Sequence, residues 1–195
     1  SLSEARIGVA PKLVVEAEKQ LNDLGFLQSR FDVEIVDPNE LGQGSTSVSR
    51  NGFDQIEFLF APNPGEPFKP LKSIASSGEM ARVMLALKTV LSSQDSIPIL
   101  VFDEVDANVG GETATVVGQK MNKIGEKRQV LCITHLAPVA ATGSRHYLVE
   151  KEVDNGRTHT KVRLLNSTTR IDELTRMLGG SGDAARQHAE ELLKS

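Results

Sequence analysis

Two carboxylates stand side by side at Asp103-Glu104, directly after the near-continuous apolar run of residues 97–102. Adjacent acids at the end of a buried strand suit magnesium-nucleotide chemistry. One can hold Mg²⁺, mostly through water, and the other can orient or deprotonate an attacking water. A plainer reading is that the pair only solvates a loop, since Asp106 and Gly110-Gly111 follow at once in a tight, polar turn. His135 closes a second apolar run, residues 130–134. It could contact a terminal phosphate or serve a structural role. The third chemical stretch is Ser76-Ser77-Gly78-Glu79. Ser76 and Glu79 have the spacing of a capping box, and a capped helix start leaves free amides and a partial positive charge that suit an anion. The same residues also describe an ordinary capped helix.

These residues need elements to position them. After Ser76, the residues Met80, Val83, Met84, Leu87, Val90 and Leu91 recur at helical spacing and predict a helix over 76–93 with one buried face. The run 97–102 predicts a strand buried on both faces, as in parallel sheets. Residues 111–126 read as a helix with Val116, Val117, Met121 and Ile124 inward, and residues 130–134 as a second strand. Strand, helix and strand within this distance fit a βαβ crossover. Parallel strands would bring Asp103, Glu104 and His135 out at one carboxyl edge, where open α/β sheets bind ligands.

Upstream, residues 3–24 predict a helix with Ile7, Ala10, Val14, Ala17, Leu21 and Leu24 on one stripe and Gly25 as its stop. Pro11 is expected to kink it or move its start to near residue 10. The stripe suits a core helix or the returning end of a coiled-coil arm. Residues 31–36 and 55–60 read as strands, joined by a Gly-, Ser- and Thr-rich loop over 41–52, and Pro62, Pro64, Gly65, Pro67 and Pro70 enforce an extended approach to Ser76. Downstream come a short helix at 136–142 and strands at 145–153 and 157–165 around the hairpin signal Asp154-Asn155-Gly156. Two short helices, 171–178 and 183–193, break at Gly179-Gly180.

Absences narrow the chemistry. No G-x-x-x-x-G-K-[ST] phosphate loop occurs; Gly42-Gln43-Gly44-Ser45-Thr46 lacks the lysine. No His or Cys pair has zinc-ligand spacing, and the glycine-serine-glycine elbow of a serine nucleophile is missing at Ser77. The net charge of −4 gives no global reason to expect nucleic acid on this chain. The single cysteine, Cys132, excludes an internal disulfide and points to a reducing compartment. No apolar run approaches the roughly 20 residues of a membrane span. The start at Ser1-Leu2, without methionine, suggests a fragment of something longer.

Ala75-Ser76-Ser77-Gly78-Glu79 resembles the signature motif of ABC-type ATPases, and Ile99-Leu100-Val101-Phe102-Asp103-Glu104 resembles their Walker B strand. Val105-Asp106 is similar to the start of their D-loop, and Thr134-His135 to the switch histidine. More narrowly, Asn63-Pro64-Gly65-Glu66-Pro67, Leu131-Cys132-Ile133-Thr134-His135-Leu136 and Arg176-Met177-Leu178-Gly179-Gly180 resemble the C-terminal part of the RecN family, bacterial SMC-like proteins of double-strand-break repair. The resemblance covers about residues 13 to 193.

This resemblance implies an α/β fold: the C-terminal lobe of an ABC/SMC-type ATPase head over 31–195, with a mostly parallel sheet and flanking helices. Residues 1–30 would be the end of a coiled-coil arm. It implies a phosphate loop on an N-terminal lobe of the same polypeptide, a second head in a homodimer, DNA as the full-length protein's partner, and a cytoplasmic, nucleoid-associated location. ATP and Mg²⁺ would be the cofactors. Asp103 would position Mg²⁺ through water, Glu104 would be the general base, and His135 would sense the γ-phosphate. Asp106 would communicate across the dimer. Ser76, Ser77, Gly78 and Glu79 would meet a nucleotide held by the other head. The isolated chain would then hydrolyse ATP negligibly. The alternative is an ATP-gated module that dimerises and tethers DNA, with slow hydrolysis as its release step. A metal-dependent phosphoesterase built on Asp103, Asp106 and His135 is a third possibility. The family has glycine where this chain has Ser77 and Asn108. Ser77 at a first helical position needs no unusual dihedrals, and Asn tolerates left-handed turns.

Overall fold

The computed structural model describes residues 1–36, 51–154, 157–180 and 182–194. The chain divides into two compact units, Ser1–Ile97 and Pro98–Ser195. The motif Gly42–Thr46 and the turn residues Asn155 and Gly156 lie outside the described residues.

In the first unit, helix α1 (Leu2–Asp23) packs on strand β1 (Arg30–Val36) and helix α2 (Ser77–Val90). Its start is at Leu2 rather than near residue 10, and Pro11 lies inside it. Ser1 and Glu4 form a capping box. Ser3 Oγ and Arg6 Nη1 both donate to Asp54 at 2.6 Å, and Arg6 Nη2 donates to the Asn51 carbonyl at 2.6 Å. These bonds hold the turns before Pro11 against the missing amide and ring clash of an internal proline. They also hold the Asp54 carboxyl below its usual range, Ser3 first and Arg6 second. At the other end Gly25 takes φ 92°, with its amide on Asn22 O and the Phe26 amide on Leu21 O. This is a Schellman stop, as the sequence predicts.

Ala17, Leu21 and Leu24 are buried, whereas Ile7, Val9 and Val15 are exposed. β1 pairs antiparallel with β2 (Gln55–Ala61), Phe31 facing Phe60, and β2 pairs antiparallel with the two-residue β3 (Lys69–Pro70). The rings of Phe26 and Phe60 meet edge-on at 5.4 Å, and the Arg82 guanidinium lies 5.2 Å from the Phe26 centroid.

The second unit carries the βαβ crossover. β4 (Ile99–Phe102) and β5 (Gln129–Cys132) are parallel, joined through α3 (Gly111–Gly125). Ala114, Val117, Met121 and Ile124 of α3 are buried, as are Leu100 and Phe102 of β4. The expectation that β4 is buried on both faces does not hold. Ile99 is 50% exposed and Val101 63%, and their neighbours Leu131 and Ile133 are 46% and 61% exposed. The sequence is apolar on both sides, but these residues cover only one.

α4 (Ala137–Thr142) packs closely on α3, where a Cβ on Gly118 would come within 2.7 Å of Thr142. β6 (Tyr147–Asp154) and β7 (Arg157–Leu164) form an antiparallel hairpin, with Tyr147 facing Leu164 and Val149 facing Val162. All four side chains are exposed. α5 (Ser167–Met177) and α6 (Asp183–Leu192) close a small core with α4 through Ala137, Ala140, Leu174 and Ala189. Gly179 takes φ 77° and ends α5, which is the expected break. The α/β class holds; among the described residues its parallel part is the β4–β5 pair, and the other two sheets, β1–β2–β3 and β6–β7, are antiparallel.

Candidate nucleotide site

The parallel register runs from Ile99 opposite Gln129 to Phe102 opposite Cys132, and the Ile133 amide bonds to Phe102 O at 2.9 Å. Both strands therefore end together. Asp103-Glu104 and Thr134-His135 emerge at the same carboxyl edge, as the βαβ reading requires. Asp103 and Glu104 are exposed. Glu104 has a left-handed backbone, φ 56°, and its carbonyl accepts from the Ala107 amide at 3.0 Å. A glutamate has no local reason to adopt this region, so the sequence gives no signal for it. The sharp turn presents Glu104 outward just where β4 stops. Asn108 is also left-handed, φ 58°, a region that asparagine tolerates.

Asp106 is the buried member of the group, 1% exposed beneath this edge. Its Oδ2 accepts from the Thr134 hydroxyl and from the His135 amide at 3.1 Å, and lies 3.4 Å from His135 Nδ1. Thr134 Oγ1 accepts in turn from the Leu136 amide at 3.0 Å. The His135 side chain is 72% exposed. The loop after β4 is thus tied to the loop after β5 through one carboxylate oxygen. Sequence reasoning gave Thr134 no role of its own. Its only signal was a hydroxyl side chain between an apolar run and a histidine. Burial, with the Asp106 and Asp103 charges adding to it, pushes the nearby Cys132 thiol up to about 12. The thiol therefore stays protonated and is a poor nucleophile.

Ser76, Ser77, Gly78 and Glu79 belong to the first unit and open α2. Ser76 Oγ accepts from the Glu79 amide at 3.3 Å. The reciprocal bond of the expected capping box forms in α1 and α5 but not here; the Glu79 charge acts on Arg82. Gly78 is buried and Ser77 exposed. Ser77 is the first helical residue and is not among the left-handed positions, so its backbone demands no glycine. The buried face of α2 also holds Arg82, Leu85 and Ala86, while Met84, expected inward, is exposed. A cleft of about 360 Å³ beside these turns is lined by Phe26, Asn63, Glu79 and Arg82, among others.

The donor set fits a magnesium ion of the nucleotide-bound kind. Asp103 offers one exposed carboxylate at a strand end, and Mg²⁺ commonly takes one or two carboxylates, with phosphates and waters completing its shell. Among the described residues, no three His, Cys, Asp or Glu side chains converge to hold a metal by themselves. A phosphoesterase centre built on Asp103, Asp106 and His135 therefore has no geometric support, and Asp106 is already committed to Thr134 and His135.

No protein-family model matches the chain. Among solved structures, it is similar to an Smc head domain with coiled coil and joint from Pyrococcus yayanosii, at TM-score 0.59 and 16% identity. That match covers 84% of this chain and 28% of the other. An SMC ATPase chain described for ATP-driven dimerization and DNA-stimulated activation matches at TM-score 0.51 and 16% identity, over 92% of this chain and 99% of that one. At such identities the likeness establishes an SMC-head fold. Sequence relatives go further. DNA repair protein RecN of Treponema pallidum is 43% identical over 100% of this chain and 34% of its own length. The RecN proteins of Bacillus subtilis and Deinococcus radiodurans are 39% and 40% identical, over 35% and 33% of their lengths. The chain thus spans about a third of the relatives it matches. Along its whole length, it is homologous to the C-terminal part of DNA repair protein RecN.

Proposed function

We propose that this chain is the C-terminal lobe of an SMC-like ATPase head acting in DNA double-strand-break repair and recombination. The observation that carries the reading is the common carboxyl edge of β4 and β5, where Asp103, Glu104 and His135 emerge. Asp103 would hold the Mg²⁺ of a bound ATP through water. The Glu104 carboxylate, presented by its left-handed turn, would take the proton of an attacking water. His135 would meet the γ-phosphate. Positioning and electrostatics would supply most of the rate enhancement. The start of α2, with Ser76, Ser77, Gly78 and Glu79, would receive the phosphate of a nucleotide held by a second head.

The phosphate loop is absent from this sequence, so the site is completed by an N-terminal lobe of the same polypeptide. Residues 1–30 would lead in from a coiled-coil arm, and their exposed Ile7, Val9 and Val15 are suited to a partner helix. The uncovered apolar face of β4 and β5 suits burial in the completed head. DNA would be engaged by the full-length dimer.

The test compares ATP hydrolysis by this chain alone, by the chain completed with the N-terminal part, and by the completed Glu104→Gln variant. Negligible, strong and abolished turnover are expected in that order. Strong turnover by the chain alone, lost in Glu104→Gln, would overturn the claim that the lobe is incomplete. A second reading is favoured by the neighbour described for ATP-driven dimerization. In it the head is mainly an ATP-gated DNA tether, with slow hydrolysis as the release step. The completed Glu104→Gln protein would then stay dimeric with ATP and retain DNA, whereas an enzyme-first protein would lose function.

A further inference from the structure

We propose that Asp106 is a positioning residue for His135, fixing the imidazole with Nδ1–H toward the buried carboxylate and the Nε2 lone pair toward the exposed carboxyl edge. The inference rests on the nucleotide reading only for its consequence; the geometry stands without it. Asp106 is 1% exposed, and a carboxylate taken out of water needs donors. Two donors from one short segment serve Oδ2, the Thr134 hydroxyl and the His135 amide at 3.1 Å, and His135 Nδ1 stands 3.4 Å from the same oxygen. Thr134 and the backbone amide place the residue, and Nδ1 faces the same oxygen. A neutral imidazole carries one proton, and a carboxylate facing Nδ1 selects the form that donates there. The other nitrogen then points away from Asp106 on a side chain that is 72% exposed.

The arrangement sets what His135 can do. As a neutral ring it offers Nε2 as an acceptor. To donate to a phosphate oxygen it must first bind a proton at Nε2, and the resulting positive charge is offset by the Asp106 carboxylate 3.4 Å from Nδ1, the division of labour of a histidine–aspartate pair. Asp106 therefore acts within the chain, on the ring that would meet the phosphate.

The competing account makes Asp106 a structural staple between two loops, with Nδ1 nearby by coincidence. Nitrogen NMR of His135 in this chain, without nucleotide and at alkaline pH, separates the two. The expected spectrum shows Nδ1 with the protonated, pyrrole-type shift and Nε2 with the pyridine-type shift. In Asp106→Asn, which weakens the charge-assisted acceptor, the ring should move toward the Nε2–H form. Thr134→Val removes the hydroxyl's bonds to Asp106 and to the Leu136 amide while leaving Nδ1 facing the carboxylate, and should lower stability with the tautomer unchanged. An Nε2–H tautomer in the unmodified chain would overturn the proposal, as would a tautomer that Asp106→Asn leaves untouched. If Asp106→Asn does not fold, the unmodified spectrum and Thr134→Val still decide. An absence of ATP hydrolysis in the completed head would sink the nucleotide reading and leave this result standing.

Discussion

Glu104 holds a conformation its side chain does not favour. A non-glycine residue at φ 56° costs about 1–2 kcal/mol relative to right-handed backbone, and such positions persist where the surroundings over-determine them. Here the strand ends in buried Phe102, Val105 and Asp106 are buried directly after, and the Ala107 amide closes the turn on Glu104 O. Glycine relieves the strain and alanine does not. Glu104→Gly should therefore be more stable than Glu104→Ala by about 1 kcal/mol in urea denaturation, although both remove the carboxylate and with it the proposed hydrolysis. Equal stabilities would mean that the turn stores no strain.

The joint between α4 and α5 is where element packing becomes sensitive to pH. Arg170 Nη2 donates to the carbonyls of Ala140, Ala141 and Gly143 at 2.6–3.1 Å, capping the end of α4 from α5. His146 lies beside it with Nδ1 buried and without a hydrogen-bond partner among the described residues. Burial first and the Arg170 charge second hold this imidazole below its usual range, with Glu173 opposing them. The folded state thus prefers neutral His146, while the unfolded chain binds its proton near about pH 6.5. That contribution is present above about pH 6.5 and is lost as pH falls toward the depressed folded value. Urea midpoints should drop between about pH 7 and about pH 5.5, and His146→Gln should flatten the drop; the Asp54 loss falls at lower pH, below about 4. An unchanged slope in His146→Gln would assign the effect elsewhere. Such joints were hidden in the sequence, because neither Arg170 nor His146 sits in a motif and their meeting depends on how α4 and α5 pack. The elements themselves were legible, since apolar periodicity, the Gly25 and Gly179 stops and the strand–helix–strand spacing are local. The same holds for Asp103, Glu104 and His135, which stand at strand ends. Asp106 was legible as a residue but not in its contacts: its partner Thr134 is far off in sequence, and only the parallel register brings the two together.

At the scale of the whole molecule, the distribution of apolar surface argues that these residues are part of a larger assembly. Ile99 and Val101 on β4, with Leu131 and Ile133 after them, project from one face of a parallel pair at 46–63% exposure. Parallel strands ordinarily have both faces covered, and contiguous exposed apolar patches mark interaction surfaces. In a chain that spans about a third of its RecN relatives, the proposed cover is the N-terminal lobe. Fully burying one valine or leucine side chain is worth about 1.5–3 kcal/mol, and about 1.4 kcal/mol is tenfold in affinity. The double variant Val101→Lys, Leu131→Lys should therefore bind the N-terminal part at least about tenfold more weakly in a calorimetric titration. It should also keep the fold of the isolated chain by circular dichroism, because both side chains already face solvent there. Undiminished binding by a folded double variant would remove this face from the lobe interface and leave its exposed apolar residues to another partner.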